Sequence, residues 1–188
     1  MNKLNDIYVE FTKKASNAGY MPEELVFGFG KTEKGIVLIG EAPGKEEVEK
    51  GRPFVGKAGK ILDDFLMRSG IERDSLFVTN TVKFRPYKIS EKGTVSNRPP
   101  IAKEVSFCAD CLKKELFMLE PRLIITLGNT PLKAVTQQKN ITVGQVHGTV
   151  INTGYGRLFA MYHPASLIYN RSLIPVYDED IKKLASIV

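Results

Sequence analysis

A glycine-rich loop between a predicted strand and a predicted helix limits the fold more than any other stretch of this chain. The apolar residues 35–40 enter the loop, and residues 40–59 read GEAPGKEEVEKGRPFVGKAG. Apolar residues then recur at helical spacing over residues 61–66, and Gly70 stands at a C-cap position. A strand, a loop and a helix in this order are typical of α/β proteins, which bind ligands at the carboxyl ends of their strands.

Strand and helix patterns alternate along the rest of the chain. The predicted core strands are residues 36–41, 76–80, 123–127 and 158–162. We therefore predict an α/β fold, a three-layer αβα sandwich around a central, mainly parallel four-stranded sheet, forming a single domain over residues 1–188. Residues 83–100 are expected to form a basic loop, and residues 140–154 a hairpin or two short strands.

Three of the predicted strands end on polar residues. These residues are Glu41, Asn80 and His163. Because the carboxyl ends of parallel strands meet at one edge of a sheet, we expect the three side chains to share one pocket.

The glycine-rich loop allows a pocket, a solvated connection or a phosphate cradle. Its glycines let the backbone approach a ligand closely, and the glutamates and Phe54 placed among them favour a pocket. Neither G-x-G-x-x-G nor G-x-x-x-x-G-K-[ST] occurs in the loop, so the two common nucleotide fingerprints are missing.

The loop also resembles a known motif. GEAPG followed by GRPFVGKAG is similar to motif A of the uracil-DNA glycosylase superfamily, in particular of the branch called family 4, which carries an iron-sulphur cluster. Segments 80–86, 123–128 and 163–167 agree with further motifs in the same order, and the likeness covers residues 35–170. The resemblance implies an enzyme that flips uracil out of DNA and cleaves its glycosidic bond.

The chemistry of base removal assigns a role to each candidate residue. Phe54 is the predicted stacking ring, and Asn80 reads the uracil edge, since an amide offers a donor and an acceptor together. His163 is predicted to donate a hydrogen bond to uracil O2 as negative charge develops. Glu41 is the first candidate for orienting water or stabilising the sugar cation. Glu47 is the second, and it is expected to contact the base or the water in the substrate pocket. The predicted base pocket is completed by Gly40 and Ala42.

Basic and apolar residues near these motifs are candidate DNA contacts. Phosphate or backbone contacts are predicted for Lys83, Arg85, Lys88, Arg98, Ser166 and Arg171. Leu167 or Ile168 is expected to fill the gap left by the flipped base. Tyr169 stands where family members often have arginine, and Arg171 is expected to compensate.

The cysteines depart from the family pattern. Family 4 needs four cysteine ligands: two near the N-terminus, one just after the asparagine motif and one in the next helix. This chain has only Cys108 and Cys111, and Phe84 occupies the position after the asparagine motif. We therefore predict no iron-sulphur cluster and no metal. Cys108 matches the fourth ligand position, and core packing, a redox pair or a metal shared by two copies are open readings of the two thiols.

The resulting hypothesis is a DNA repair glycosylase whose partner is uracil-containing DNA. The net charge of +6 and the pI of about 9.2 are compatible with an anionic polymer. The alternatives are a glycosylase for another deaminated base such as hypoxanthine, and an inactive nucleic-acid-binding relative. No apolar run has membrane-spanning length, no secretory leader pattern follows Met1, and we expect a cytoplasmic monomer.

Overall fold

The apolar runs predicted as strands pair in one sheet in the computed structural model, which describes residues 3–188. Met1 and Asn2 lie outside the described residues, although the predicted domain begins at residue 1. The strands are β1 (Phe29–Gly30), β2 (Ile36–Gly40), β3 (Phe77–Asn80), β4 (Tyr87–Ile89), β5 (Val95–Asn97), β6 (Leu123–Leu127), β7 (Val150–Thr153) and β8 (Gly156–Met161). The α-helices are α1 (Lys3–Asn17), α2 (Lys45–Lys50), α3 (Lys57–Arg68), α4 (Ala102–Leu119), α5 (Asn129–Thr136), α6 (Val143–Val146), α7 (Ser166–Tyr169) and α8 (Ile174–Ala185). Short 3-10 helices occupy Pro22–Glu24, Arg73–Ser75 and Arg171–Leu173.

The central part of the sheet is parallel, as predicted. Within residues 3–188 the main sheet has six strands in the order β1-β3-β2-β6-β8-β7. The four central strands β3, β2, β6 and β8 are parallel, and β1 and β7 pair antiparallel at the two edges. In the register of β2 and β3, Gly40 is opposite Asn80. The two strand ends that carry Glu41 and Asn80 are therefore neighbours.

Helices cover both faces of the sheet, which confirms the three-layer α/β fold. On β2, Ile36 and Leu38 belong to the apolar core formed with α3 and α8. Val37 and Ile39 point to the other face and belong to the core formed with α4 and α5. Because both faces of the strand are covered, its sequence is apolar throughout rather than alternating.

A third apolar core lies between α1 and α4. The ring of Tyr20 stacks on the ring of Phe84 with centroids 4.0 Å apart, and Phe107 packs edge-on to Phe84 at 6.2 Å. Cys108 is fully buried in the same cluster. This aromatic core fixes the segment that follows β3.

Several boundaries differ from the sequence prediction. The basic loop at residues 83–100 contains the β4–β5 hairpin, and the 140–154 region begins with α6 before β7. The acidic residues Asp178, Glu179 and Asp180 predict a helix that begins there. The last helix instead begins at Ile174, one turn earlier, because Pro175 suits the first turn of a helix. Among residues 3–188, no helix has the length and apolar character needed to cross a membrane.

Candidate active site

The carboxyl ends of the central strands surround one cavity. Its volume is about 420 Å³, which is within the usual range for small-molecule sites. Its lining includes Ala42, Glu47, Phe54, Asn80 and His163. The structure therefore brings together the predicted stacking ring, edge-reading amide and histidine.

The end of β2 must be glycine for this arrangement to exist. A methyl group at Gly40 would overlap both the Asn80 amide oxygen and the edge of the Phe54 ring. The Asn80 side chain is buried, with 3% of the residue exposed. Gly40 thus acts by leaving room for the two side chains that are predicted to hold the base.

Phe54 lies in an unusual backbone conformation. Its φ is +56°, a region that bulky residues rarely adopt. Its ring lines the cavity and is inclined by 28° to the His163 ring, with the centroids 6.4 Å apart. Outliers of this kind cluster at functional sites, where the surrounding structure holds them in place.

His163 is arranged as a neutral hydrogen-bond donor. The Ala165 backbone N–H donates to His163 Nδ1 at 3.1 Å, so in the neutral imidazole the proton is on Nε2. Burial lowers the pKa of His163 from its ordinary value of 6.5, because the charged form is poorly solvated there. The ring therefore stays uncharged at neutral pH and keeps one N–H free to donate.

Glu41 was expected to share the pocket with Asn80 and His163, but it is not among the residues that line the cavity, although its neighbour Ala42 is. One hydroxyl holds its carboxylate. Thr130 Oγ1 donates to Glu41 Oε2 at 2.6 Å. Thr130, which is followed by Pro131, is the N-cap that the sequence predicts for this helix. However, α5 begins at Asn129 after Gly128, and the Thr130 hydroxyl orients Glu41 instead. Among the described residues, no hydrogen bond reaches the other oxygen, Oε1, so this oxygen remains available to a water molecule.

The carboxylate of Glu47 organises the loop. Its Oε2 accepts from the N–H of Gly44 at 3.0 Å, and its Oε1 accepts from the N–H groups of Val55 and Gly56 at 3.2 and 2.9 Å. These bonds join the start of α2 to the start of α3. Glu47 therefore lines the cavity with both of its oxygens already accepting backbone hydrogen bonds.

The prediction that Lys83 contacts DNA is wrong. Its side chain is fully buried, and its ammonium group donates to Glu115 Oε2 at 2.6 Å, to Thr79 Oγ1 at 2.8 Å and to the Asn80 carbonyl at 2.8 Å. A buried charge is retained in a protein only when it is paired and hydrogen-bonded, as it is here. Lys83 therefore supports the end of β3 from inside the protein.

Other predicted DNA contacts are only partly available. Arg98 forms a two-pronged ion pair with Glu104, at 2.6 and 2.8 Å, so its charge is already balanced. Arg85 Nε donates to Asn97 Oδ1 at 2.7 Å. The Ser166 hydroxyl donates to the His163 carbonyl at 2.6 Å and holds the histidine turn.

The segment after His163 provides the outer rim of the cavity. Leu167 packs against the core, so the more exposed Ile168 is better placed to fill a gap in DNA. Tyr169 is 88% exposed beside it. Arg171 is exposed and follows on the next turn.

Asn97 and Lys57 are among the lining residues to which the sequence assigns no role. Asn97, at the end of β5, lines the cavity, as does the exposed Lys57 at the start of α3. No ion pair joins Lys57 to another residue in the described part of the chain. The only sequence signal for Lys57 is its place within GKAG, and Asn97 reaches the site through a hairpin that the sequence did not predict.

The residues present do not fit the iron-sulphur cluster that the resemblance implies. A cubane needs four thiolates, and the whole chain has two cysteines. Both are buried, and burial raises their pKa values, to about 11 for Cys108 and about 12 for Cys111. Phe84, in the position of a third ligand, is stacked on Tyr20. No step of the chemistry is therefore assigned to a cluster.

The chain is similar to known proteins of one superfamily. A family model described as the Uracil DNA glycosylase superfamily matches residues 27–185. The type-4 uracil-DNA glycosylase of Thermotoga maritima is 35% identical over 167 residues, which cover 87% of this chain and 83% of that protein. The type-4 uracil-DNA glycosylase of Archaeoglobus fulgidus is 32% identical over 200 residues, which cover 100% of this chain and 94% of that protein. The crystal structure of SMUG2 from Pedobacter heparinus shares the fold, with a TM-score of 0.56 and 15% identity over 81% of this chain and 73% of that one.

Proposed function

Since this chain belongs to the uracil-DNA glycosylase superfamily, we propose that it hydrolyses the N-glycosidic bond between uracil and deoxyribose in DNA. The products are free uracil and an abasic site. The observation that carries the proposal is the meeting of Phe54, Asn80 and a neutral His163 around one cavity. The names of its relatives, type-4 uracil-DNA glycosylases, support the same activity.

The cavity binds an extruded base by stacking and by edge recognition. The Phe54 ring stacks on the uracil plane, an interaction worth roughly 1–3 kcal/mol per base. The Asn80 amide donates to uracil O4 and accepts from N3–H. Cytosine presents an amino group and an unprotonated N3 at these positions, so the same amide mismatches it.

Bond cleavage moves negative charge onto the base and positive charge onto the sugar. The electron pair of the bond between N1 and C1′ leaves with uracil, and His163 Nε2–H donates to O2 as that oxygen becomes negative. Glu41 orients a water molecule and stabilises the oxocarbenium-like sugar through its Oε1. The water oxygen bonds to C1′, Glu41 accepts the water proton, and that proton ultimately neutralises the uracil anion.

DNA around the flipped nucleotide is held by the rim of the cavity. Lys57 is exposed at the mouth and is assigned a phosphate contact, together with Arg85 and Arg171. Ile168 is assigned to the space left in the base stack. These contacts predict an affinity that falls as the salt concentration rises.

The direct test is cleavage of an oligonucleotide that contains one uracil. Abasic sites are converted to strand breaks with alkali, using U opposite G, U opposite A and single-stranded U as substrates. We expect strand breaks with uracil and none with thymine or cytosine at the same position. The doubly substituted chain His163→Ala/Asn80→Ala, shown to be folded by circular dichroism, is the control for a contaminating glycosylase. If the folded wild-type chain cleaves none of the three uracil substrates, the proposal is rejected. If an oligonucleotide with hypoxanthine at the same position is cleaved instead, the substrate base is hypoxanthine and not uracil.

The enzyme is proposed to work without an iron-sulphur cluster. At the chain position of the third cluster ligand stands Phe84, whose ring is stacked on Tyr20 in the third apolar core. Protein purified without oxygen should contain neither iron nor acid-labile sulphide in stoichiometric amounts, and either finding at four atoms per chain would contradict this. We also propose that the protein acts on DNA as a monomer in the cytoplasm.

A further inference from the structure

The backbone that carries the stacking ring is held at both ends of one peptide unit. This unit joins Phe54 to Val55. Its carbonyl oxygen accepts from Arg73 Nη2 at 2.7 Å, and its N–H donates to Glu47 Oε1 at 3.2 Å. A cationic and an anionic side chain therefore fix the peptide plane that follows the positive φ of Phe54.

Arg73 reaches the loop from a different part of the fold. It lies in the short 3-10 helix Arg73–Ser75, just before β3. Its second nitrogen, Nη1, forms an ion pair with Asp63 on α3. The Arg73 side chain is about one-third exposed, so it holds the Phe54 carbonyl from the protein surface and is not a buried core charge. We call this contact of Arg73 with the Phe54 carbonyl the clamp.

Helix α3 also packs closely against the Phe54 backbone. A methyl group at Gly59 would overlap the Phe54 carbonyl, so α3 passes directly over this carbonyl. A positive φ at a phenylalanine costs about 1–3 kcal/mol, so it persists only when the surroundings hold it. The residues that hold it are on α2, α3 and the turn before β3.

We propose that Arg73 is a positioning residue for base recognition: it holds the Phe54 backbone so that the ring is ready to stack on the flipped base. This inference rests on the proposed function. Arg73 does not line the base cavity, so it acts through Phe54 and not by touching uracil. If the loop were loosely held, each binding event would cost the conformational entropy of ordering it. A ring that is already ordered avoids that cost.

The experiment compares DNA binding by Arg73→Ala, Arg73→Lys, Phe54→Ala and the double variant Arg73→Ala/Phe54→Ala. The probes are a duplex with 2′-fluoro-2′-deoxyuridine, whose glycosidic bond resists cleavage, and a duplex with a tetrahydrofuran abasic analogue. Loss of a full stacking contact corresponds to about 5- to 150-fold weaker binding. We expect Arg73→Ala to weaken binding of the uracil duplex by about 5- to 20-fold, a part of that loss, and to leave abasic-duplex binding unchanged. Arg73→Lys should recover part of the affinity.

The double variant separates positioning from general stability. If Arg73 acts through the ring, Arg73→Ala should have no further effect on uracil-duplex affinity once Phe54 is alanine. Asp63→Asn should cause a smaller loss of the same kind, since it frees Arg73 without removing it. Arg68→Ala is the matched control, because Arg68 is on α3, as is Asp63, but it pairs with Asp178 and Asp64 and makes no contact with the Phe54 backbone.

Each outcome bears on one of the two proposals. Additive effects of Arg73→Ala and Phe54→Ala, or equal losses on uracil and abasic duplexes, would overturn the positioning role. A folded Arg73→Ala chain that binds the uracil duplex as the wild type does would also overturn it. A wild-type chain without any preference for the uracil duplex over a thymine duplex would overturn the proposed function, and this inference with it.

Discussion

Replacing Lys83 with methionine should destabilise the protein without changing its contacts with DNA. Lys83 and Glu115 are both completely buried, and the ammonium makes three hydrogen bonds. Removing one partner of a buried ion pair typically costs about 3–5 kcal/mol, because the other charge is left uncompensated. For a chain of this size each kcal/mol lowers Tm by about 2–4 °C, so we expect a decrease of about 6–20 °C. The total stability of such a domain is about 5–15 kcal/mol, so the variant should remain folded at low temperature.

Urea unfolding followed by circular dichroism measures this loss as a lower midpoint at unchanged slope. The matched variant is Lys83→Met/Glu115→Leu, which removes both charges and keeps apolar volume. This double variant should recover only part of the loss. The Asn80 carbonyl loses the Lys83 donor, and the Thr79 hydroxyl loses both Lys83 and its acceptor Glu115; each buried polar group left unsatisfied costs about 1–3 kcal/mol. For DNA, Lys57→Met should reduce the slope of log affinity against log salt by about 1, and Lys83→Met should leave it unchanged.

Two results would refute this reasoning. One is a Lys83→Met chain within about 1 kcal/mol of the wild type, which would mean that the buried pair contributes little. The other is a reduced salt slope in the folded Lys83→Met chain, which would return Lys83 to the DNA surface.

Four further predictions concern the chemistry at the cavity. His163→Ala should lower the single-turnover rate by about 100- to 1,000-fold with little loss of DNA affinity, whereas His147→Ala, at the only other histidine, should not; equal losses would contradict the role of His163. Because burial lowers the pKa of His163, the wild-type rate should stay constant as the pH falls through 6.5 and should decrease only in more acidic buffer. A decrease centred at pH 6.5 would mean that burial does not lower the pKa of this ring. Asn80→Ala should narrow the difference in rate between uracil and cytosine substrates, measured side by side at enzyme excess, and unchanged discrimination would remove Asn80 from base reading. Glu41→Gln should reduce the rate with DNA binding intact, while Glu47→Gln should mainly lower the unfolding midpoint through the three backbone N–H bonds it accepts; the opposite pattern would exchange the two assignments.

The central sheet and the meeting point of its strand ends could be predicted from the sequence. The runs at β2 and β6 are apolar on both faces, which is characteristic of strands covered on both sides. Parallel pairing then requires Glu41, Asn80 and His163 to lie at one edge. Local pattern was enough here because burial on two faces leaves few other conformations for such a run.

The rest depended on partners that are distant in sequence. Nothing in the local sequence distinguishes Lys83 from a solvated lysine, since burial depends on Glu115, which is 32 positions away on α4. The clamp on Phe54 is hidden for the same reason, because Arg73 is 19 positions from the carbonyl it holds. The β4–β5 hairpin was read as a loop because its strands are short and mostly exposed, so they lack the alternation that a half-buried strand shows.

The strand order of the sheet means that the active site is complete only after the whole central sheet has formed. β2 pairs only with strands that follow it, β3 and β6, and β6 in turn pairs with β8, which leads to His163. Pairings between such distant segments form slowly compared with local contacts. A chain released before β8 is made would have the loop and Asn80 but no histidine, and would expose the unpaired edge of β6. Base release therefore requires β8 to be paired with β6. Chains that have not reached this stage are inactive, and their unpaired strand edge makes them prone to aggregation.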